Sequence, residues 1–218
     1  MASPLSVVDF RYIAVEGPPG VGKTGLVERL AKNLEGRTLL EQKNNPFLDS
    51  FLSGEPGAAF QAQIFFLLNR YRELAALAQR ELFAQTQVSD FILAKDKIYA
   101  YLGLDDTELM LYEKIYGPLA GEVPAPELVV YLQAPAEVLL RRLHARSEAR
   151  FPQEEDLRDI VRAYDYFFFH YTATPLLVVS SAQVDYSEQS ADLEDLLQEI
   201  RLMPGGTRFY VPAKISPE

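Results

Sequence analysis

Apolar positions follow two rhythms along this chain, and the alternation between them predicts its architecture. Short apolar runs at Tyr12 to Val15, Leu128 to Leu132 and Leu176 to Val179 have the length of strands buried on both faces. Thr38 to Leu40 and Gln87 to Ser89 are two further strand candidates, with Glu41 and Asp90 at their C-terminal ends. Between these runs the apolar residues recur at helical spacing. Such stretches run from about Lys23 to Gly36, Ala58 to Gln85, Lys95 to Leu102, Asp106 to Tyr116, Pro135 to Arg146, Leu157 to Tyr171 and Asp192 to Leu202. The longest contains neither Gly nor Pro, and Pro135 stands where proline is favoured in a first helical turn. Strands alternating with helices predict an α/β fold of three layers, with a five-stranded, mostly parallel sheet covered on both faces. The Gly- and Pro-rich tail after Met203, about residues 203–218, reads as an extended surface segment or a partly disordered, flexible one.

Composition narrows the class without changing this architecture. At 218 residues, 48% hydrophobic and 24% charged, the chain fits one globular domain spanning residues 1–218. The formal charge of −10 argues against a nucleic-acid polymer as partner, because phosphate backbones are met by clustered Lys and Arg. Cysteine is absent, so there is neither a disulfide framework nor a thiolate metal site. The N-terminal MASPLSVVDFRY lacks a cationic segment leading into an apolar core, and no run reaches the roughly 18 apolar residues of a membrane span. A cytoplasmic protein without a membrane partner is the expectation.

Chemistry enters at Gly17-Pro18-Pro19-Gly20-Val21-Gly22-Lys23-Thr24, directly after the first apolar run. Gly17, Gly22, Lys23 and Thr24 meet the spacing G-x-x-x-x-G-K-[ST], with a strand before and a helix after. Glycines let backbone N–H groups turn inward around phosphates, and the helix N-terminus adds a favourable dipole. Lys23 supplies a point charge to the β- and γ-phosphates, and Thr24 offers a hydroxyl to Mg²⁺. The loop, Gly17 to Thr24, predicts a P-loop NTPase-type fold that holds a nucleoside triphosphate, with ATP as the expected donor.

The acceptor of the phosphate is written in other residues. In open α/β sheets the C-terminal ends of the strands line the ligand crevice, which places Glu41 and Asp90 there. One carboxylate can accept the proton of an attacking hydroxyl while the other helps to hold Mg²⁺. Gln63 and Arg70 stand seven residues apart on the long helix, on one face, within the apolar setting of Phe60, Phe65, Phe66, Leu67 and Leu68. An amide and a guanidinium so placed suit the edge of a nucleobase; a solvated polar stripe is the competing reading. Arg141, Arg142, Arg146 and Arg150 leave the helix after the fourth strand. They suit a lid that closes over phosphates, with a solvated helix face as the alternative.

Taken together, YIAVEGPPGVGKT, Glu41 followed by NNPFL, AQIFFLLNRYR, SDFILAKDKIYA, VVYLQAPAEVLLRRLHAR and FFFHY resemble the deoxynucleoside kinase family over about Tyr12 to Ser180. They are most similar to the bacterial branch acting on deoxyadenosine and deoxyguanosine. The resemblance implies Glu41 as general base toward the 5′-hydroxyl, Gln63 as the base-reading amide, and Arg70 with Asp96 as a polar pair beside the base. It further implies Asp90 as the metal-associated acid, Arg142 and Arg146 as cations of a lid over about residues 142–156, and a homodimer. Phe91 departs from the pattern by standing where the family has an arginine, whose role is then either missing or supplied by another cation, Arg70 or Lys97. Glu148, Glu154 and Glu155 compete for the sugar 3′-hydroxyl, and His144 and His170 receive no role.

The reaction this implies is transfer of the γ-phosphate of ATP, with Mg²⁺, to the 5′-hydroxyl of a deoxynucleoside, deoxyadenosine or deoxyguanosine, in nucleotide salvage. A thymidylate-type monophosphate kinase is one rival. Its phosphorylated acceptor requires an extra cation, and residues 42–62 offer only Lys43. A nucleotide-binding regulatory protein without turnover is the other.

Overall fold

The computed structural model describes residues 9–42, 44–79, 85–146, 152–186 and 192–212. The strands are β1 (Tyr12–Glu16), β2 (Arg37–Leu39), β3 (Gln87–Ser89), β4 (Leu128–Gln133), β5 (Leu176–Ser180) and β6 (Thr207–Tyr210). The helices are α1 (Lys23–Asn33), α2 (Leu48–Leu52), α3 (Ala58–Gln79), α4 (Asp96–Gly103), α5 (Asp106–Ala120), α6 (Ala136–Ala145), α7 (Glu154–Phe169) and α8 (Asp192–Arg201). A turn of 3₁₀ helix at Leu93–Lys95 precedes α4.

All strand pairs are parallel, in the order β2-β3-β1-β4-β5-β6. Central β1 is buried throughout. Its side chains alternate between two layers, as a strand buried on both faces requires. Ile13 and Val15 pack with Leu26, Leu30, Leu139 and Leu196, which belong to α1, α6 and α8. On the opposite face Tyr12 joins Leu67, Leu74, Phe91 and Tyr112, while Ala14 meets Tyr131, Tyr164 and Phe168. Complete burial of each large apolar side chain contributes about 1.5–3 kcal/mol before conformational entropy is charged against it. Parallel strands also bring the segments after β1, β2 and β3 to one edge of the sheet, where strand order reverses around β1 and a ligand crevice forms.

The sheet has six strands, a correction to the expected five. Gly205 (φ 106°) and Gly206 (φ 67°) turn the chain after α8, in a left-handed region that disfavours side chains. Thr207 to Tyr210 then pairs with Leu176 to Val179. As an edge strand it alternates exposed and half-buried residues, so the sequence shows no apolar run. Residues 213–218 of the expected tail lie outside the described residues. The second strand ends at Leu39, which leaves Glu41 in the segment beyond it, and the long helix is described to Gln79 rather than Gln85. The short α2 was not expected. Of the run Phe167 to Phe169, Phe168 is buried in the core, whereas Phe169 is exposed.

Candidate active site

The phosphate loop owes its path to its glycines. Gly17 has φ 152°, and a Cβ there would meet the Leu132 carbonyl oxygen at 2.5 Å. Gly22, at φ 102°, turns the chain into α1. Lys23 and Thr24 thereby become the first residues of that helix. The Lys23 ammonium folds back to donate to the carbonyls of Gly17 (2.6 Å) and Pro18 (3.3 Å). Burial lowers its pKa to about 8, and the Lys95 charge adds to this, while Glu16, Glu41 and Asp90 oppose it.

Asp90, just past β3, joins the start of α1 to the segment after β2. Its Oδ2 accepts from the Thr24 hydroxyl at 2.8 Å and its Oδ1 from the Glu41 N–H at 2.6 Å. The Glu41 carboxylate lies between two cations. Its Oε1 accepts from Arg70 Nε at 2.6 Å and also faces Arg70 Nη2 at 2.5 Å. Its Oε2 accepts from Lys95 Nζ at 2.6 Å. Burial by itself would raise the Glu41 pKa, but Lys95 and Arg70 outweigh it and bring the value down to about 2. Lys95 is itself buried; burial opposes its charge, yet Glu41 and Glu16 raise its pKa overall.

The network continues inward. Arg70 Nη1 bonds Asp96 Oδ1, while the Gln63 amide donates to Asp96 Oδ2 (2.8 Å) and to the Asp96 carbonyl (3.0 Å). Gln63 is 8% exposed, Arg70 6% and Asp96 0%, so this face of α3 is not a solvated stripe. Glu41, Phe66, Arg70 and Phe91 line a cleft, with the Arg70 guanidinium carbon 5.3 Å from the centre of the Phe66 ring.

The deoxynucleoside kinase family model matches residues 13–203. The chain belongs to that family. It is 33% identical over 138 residues to deoxyguanosine kinase of Bacillus subtilis (strain 168), covering 62% of this chain and 66% of that protein. It is 24% identical over 206 residues to deoxyguanosine kinase of Lactobacillus acidophilus, covering 86% of this chain and 88% of that one. In fold it is similar to the solved structure of deoxyadenosine kinase from M. mycoides with bound dATP, at TM-score 0.72 and 21% identity over 87% of this chain and 98% of that one.

Other residues expected in the kinase's site lie apart from this cluster. Arg142, in the last turn of α6, donates to the carbonyls of Ser181 (2.7 Å) and Val184 (3.1 Å). Arg146, just beyond, pairs with Asp185 at 2.5 Å and reaches the Gly20 carbonyl at 3.4 Å. Arg142 therefore sits against the turn after β5, and Arg146 between that turn and the phosphate loop. Of the expected lid, residues 147–151, including Glu148 and Arg150, lie outside the described residues, whereas Glu154 and Glu155 are exposed in the first turn of α7. Among the described residues no helix is long and apolar enough to cross a membrane.

The cation expected to replace the arginine at Phe91 is only partly placed. Arg70 does hold Glu41, but Lys97 pairs instead with Glu113 at 3.2 Å and lies 4.6 Å from the centre of the Tyr116 ring. Lys95, which sequence reasoning missed, takes the place beside Glu41. Its signal was faint: a lysine in an otherwise apolar ILA segment leading directly to Asp96. Glu16 was also missed because it ends an apolar strand and reads as the first solvated residue after it, whereas it is wholly buried.

Proposed function

We propose that this kinase transfers the γ-phosphate of ATP to the 5′-hydroxyl of a deoxynucleoside, with deoxyadenosine or deoxyguanosine as the natural acceptors. The observation that carries the reading is the linkage Thr24–Asp90–Glu41, in which one carboxylate ties the phosphate loop's helix to the segment bearing the second carboxylate. Phosphoryl transfer depends mainly on positioning and electrostatics, so a shared anchor for donor and acceptor groups suits it.

A carboxylate held near pKa 2 draws a proton from a neutral hydroxyl only weakly. Glu41 therefore acts first by accepting the hydrogen bond of the 5′-hydroxyl and aiming its oxygen in line, receiving the proton as the phosphorus–oxygen bond forms. Lys23 neutralises charge on the β- and γ-phosphates, and Arg142 and Arg146 assist as lid cations. Phe66 and Phe91 offer apolar walls to a base, with Gln63, Arg70 and Asp96 as its polar edge. The names of the relatives support a purine.

Thr24 and Asp90 present neighbouring oxygen donors, which fit Mg²⁺, a hard cation commonly held by one or two carboxylates together with substrate phosphates. Held there, such an ion would supply positive charge to offset that of the transferring phosphate. We also infer that the single domain acts as a homodimer in the cytoplasm. Exposed Tyr101, Leu102, Met110 and Leu111 on α4 and α5 support a contact with a second copy, which sedimentation would detect.

The direct test incubates the protein with γ-labelled ATP, Mg²⁺ and, separately, deoxyadenosine, deoxyguanosine, deoxycytidine, thymidine and thymidine monophosphate, with Glu41→Gln alongside. Labelled purine monophosphate that is lost in the variant is expected. Label on thymidine monophosphate alone would replace this reading with that of a monophosphate kinase, and label on nothing would leave a nucleotide-binding regulator.

A further inference from the structure

Glu16 is a buried carboxyl group that the fold has no need of. It ends central β1, whose other residues are apolar, and it has no exposed surface. Its two oxygens serve two different segments. Oε2 accepts from the N–H of Gly17, the first residue of the phosphate loop, at 3.2 Å. Oε1 accepts from the N–H of Ile92 at 2.8 Å. Ile92 lies between Asp90 and the 3₁₀ turn that delivers Lys95 and then Asp96.

Two cations oppose the cost of burying this carboxylate. Burial raises its pKa overall, and Lys95 first and Lys23 second limit that rise. These are the lysine that holds Glu41 and the lysine that lies across the phosphate loop. Glu16 thus stands between the group that grips the donor and the group that orients the acceptor, although it faces no substrate position itself.

We propose that Glu16 is a positioning residue that clamps the phosphate loop to the Ile92–Asp96 segment, fixing the distance between the transferring phosphate and the hydroxyl that receives it. For its catalytic consequence this inference rests on the kinase reading above. The clamp acts through both backbone amides together. A negative charge in the same place that reaches one amide leaves the other segment loose.

Two variants separate span from charge. Glu16→Gln keeps the length but turns an NH₂ group toward one of the two N–H donors. Glu16→Asp keeps the charge but is one methylene too short to reach both. Each is expected to lower kcat by about 10- to 100-fold, the scale of an ångström-sized misplacement. KM for the deoxynucleoside should change less than kcat, because Gln63 and Arg70 on α3 still hold Asp96. Wild-type kcat in both variants overturns the proposal, and so does wild-type kcat in Glu16→Asp alone, since charge without span would then suffice.

Amide hydrogen exchange on the unaltered protein tests the clamp even if a variant does not fold. The Gly17 and Ile92 amides should share one protection factor, because a single opening event exposes both. Protection factors differing by more than about tenfold, corresponding to separate openings, overturn the proposal. This measurement needs no turnover, so an inactive wild type would sink the kinase reading while leaving the clamp to be judged by exchange.

Discussion

The hydroxyl of Thr24 donates a 2.8 Å hydrogen bond to the carboxylate of Asp90, across 66 residues of sequence. One residue opens the helix behind the phosphate loop and the other follows β3, so the bond joins the two segments that would hold a metal between them. Asp90→Asn preserves the shape and removes the negative charge. The expected result is a kcat lower by about 10²-fold, with the Mg²⁺ concentration for half-maximal activity raised at least tenfold. Activity titrated against Mg²⁺ checks this, and an unchanged midpoint would remove Asp90 from the metal's ligands.

Lys95 and Lys97 sit two residues apart but face different surroundings. The first is buried against Glu41; the second pairs with Glu113 with about a third of its side chain exposed. Lys95→Ala should lower kcat by on the order of 10²-fold, because it removes a charge from a water-poor site. Lys97→Ala should stay within a few-fold of wild type, as expected for a partly exposed pair. Steady-state kinetics of the two variants decides, and the reverse ranking would return the missing arginine's role to Lys97.

This pair also illustrates what the sequence could reveal. The phosphate loop was legible because its chemistry requires fixed spacing along a continuous stretch, from Gly17 to Thr24. Gln63, Arg70 and Asp96 were legible as a group through family resemblance, and the structure brings them into contact. Lys95 and Glu16 were hidden because burial of a charge is decided by partners from distant segments. Composition cannot distinguish a lysine beside Glu41 from one beside Glu113. The sixth strand was hidden for a related reason: Thr207–Tyr210 buries only part of its surface, so its pattern is that of a loop until β5 lies beside it.

Arg70 is the shared cation of the inner network, bonded to Glu41 on one side and to Asp96 on the other. Arg70→Met would leave the wholly buried Asp96 carboxylate without its cation. Breaking a buried pair from one side costs about 3–5 kcal/mol. In a chain of this size that lowers Tm by on the order of 10 °C. Arg158 is the control, since its pairs with Glu137 and Glu154 join side chains that are all more than half exposed. Arg158→Ala should shift Tm by less than about 3 °C. Calorimetry on both variants tests the contrast, and equal shifts would show that the inner network contributes no more than a surface pair.

Glu41 should also leave a signature in the pH dependence of stability. Its pKa in the folded protein is lowered from an ordinary 4.5 to about 2, and a carboxylate freed by unfolding returns to its ordinary value. Below 4.5 the unfolded chain therefore binds a proton at this position that the folded chain refuses until about pH 2. The stabilisation is present in full above pH 4.5 and is lost progressively as the pH falls through that window. The shift corresponds to on the order of 3 kcal/mol. Glu41→Gln has no such proton to bind. Its unfolding free energy should lie below that of wild type near neutrality, and the gap should close between pH 4.5 and 2. Urea unfolding of the two proteins at matched pH values measures the gap directly. A gap independent of pH would mean that Arg70 and Lys95 do not hold Glu41 ionised in solution, and with that the argument for an oriented carboxylate facing the 5′-hydroxyl would lose its electrostatic basis.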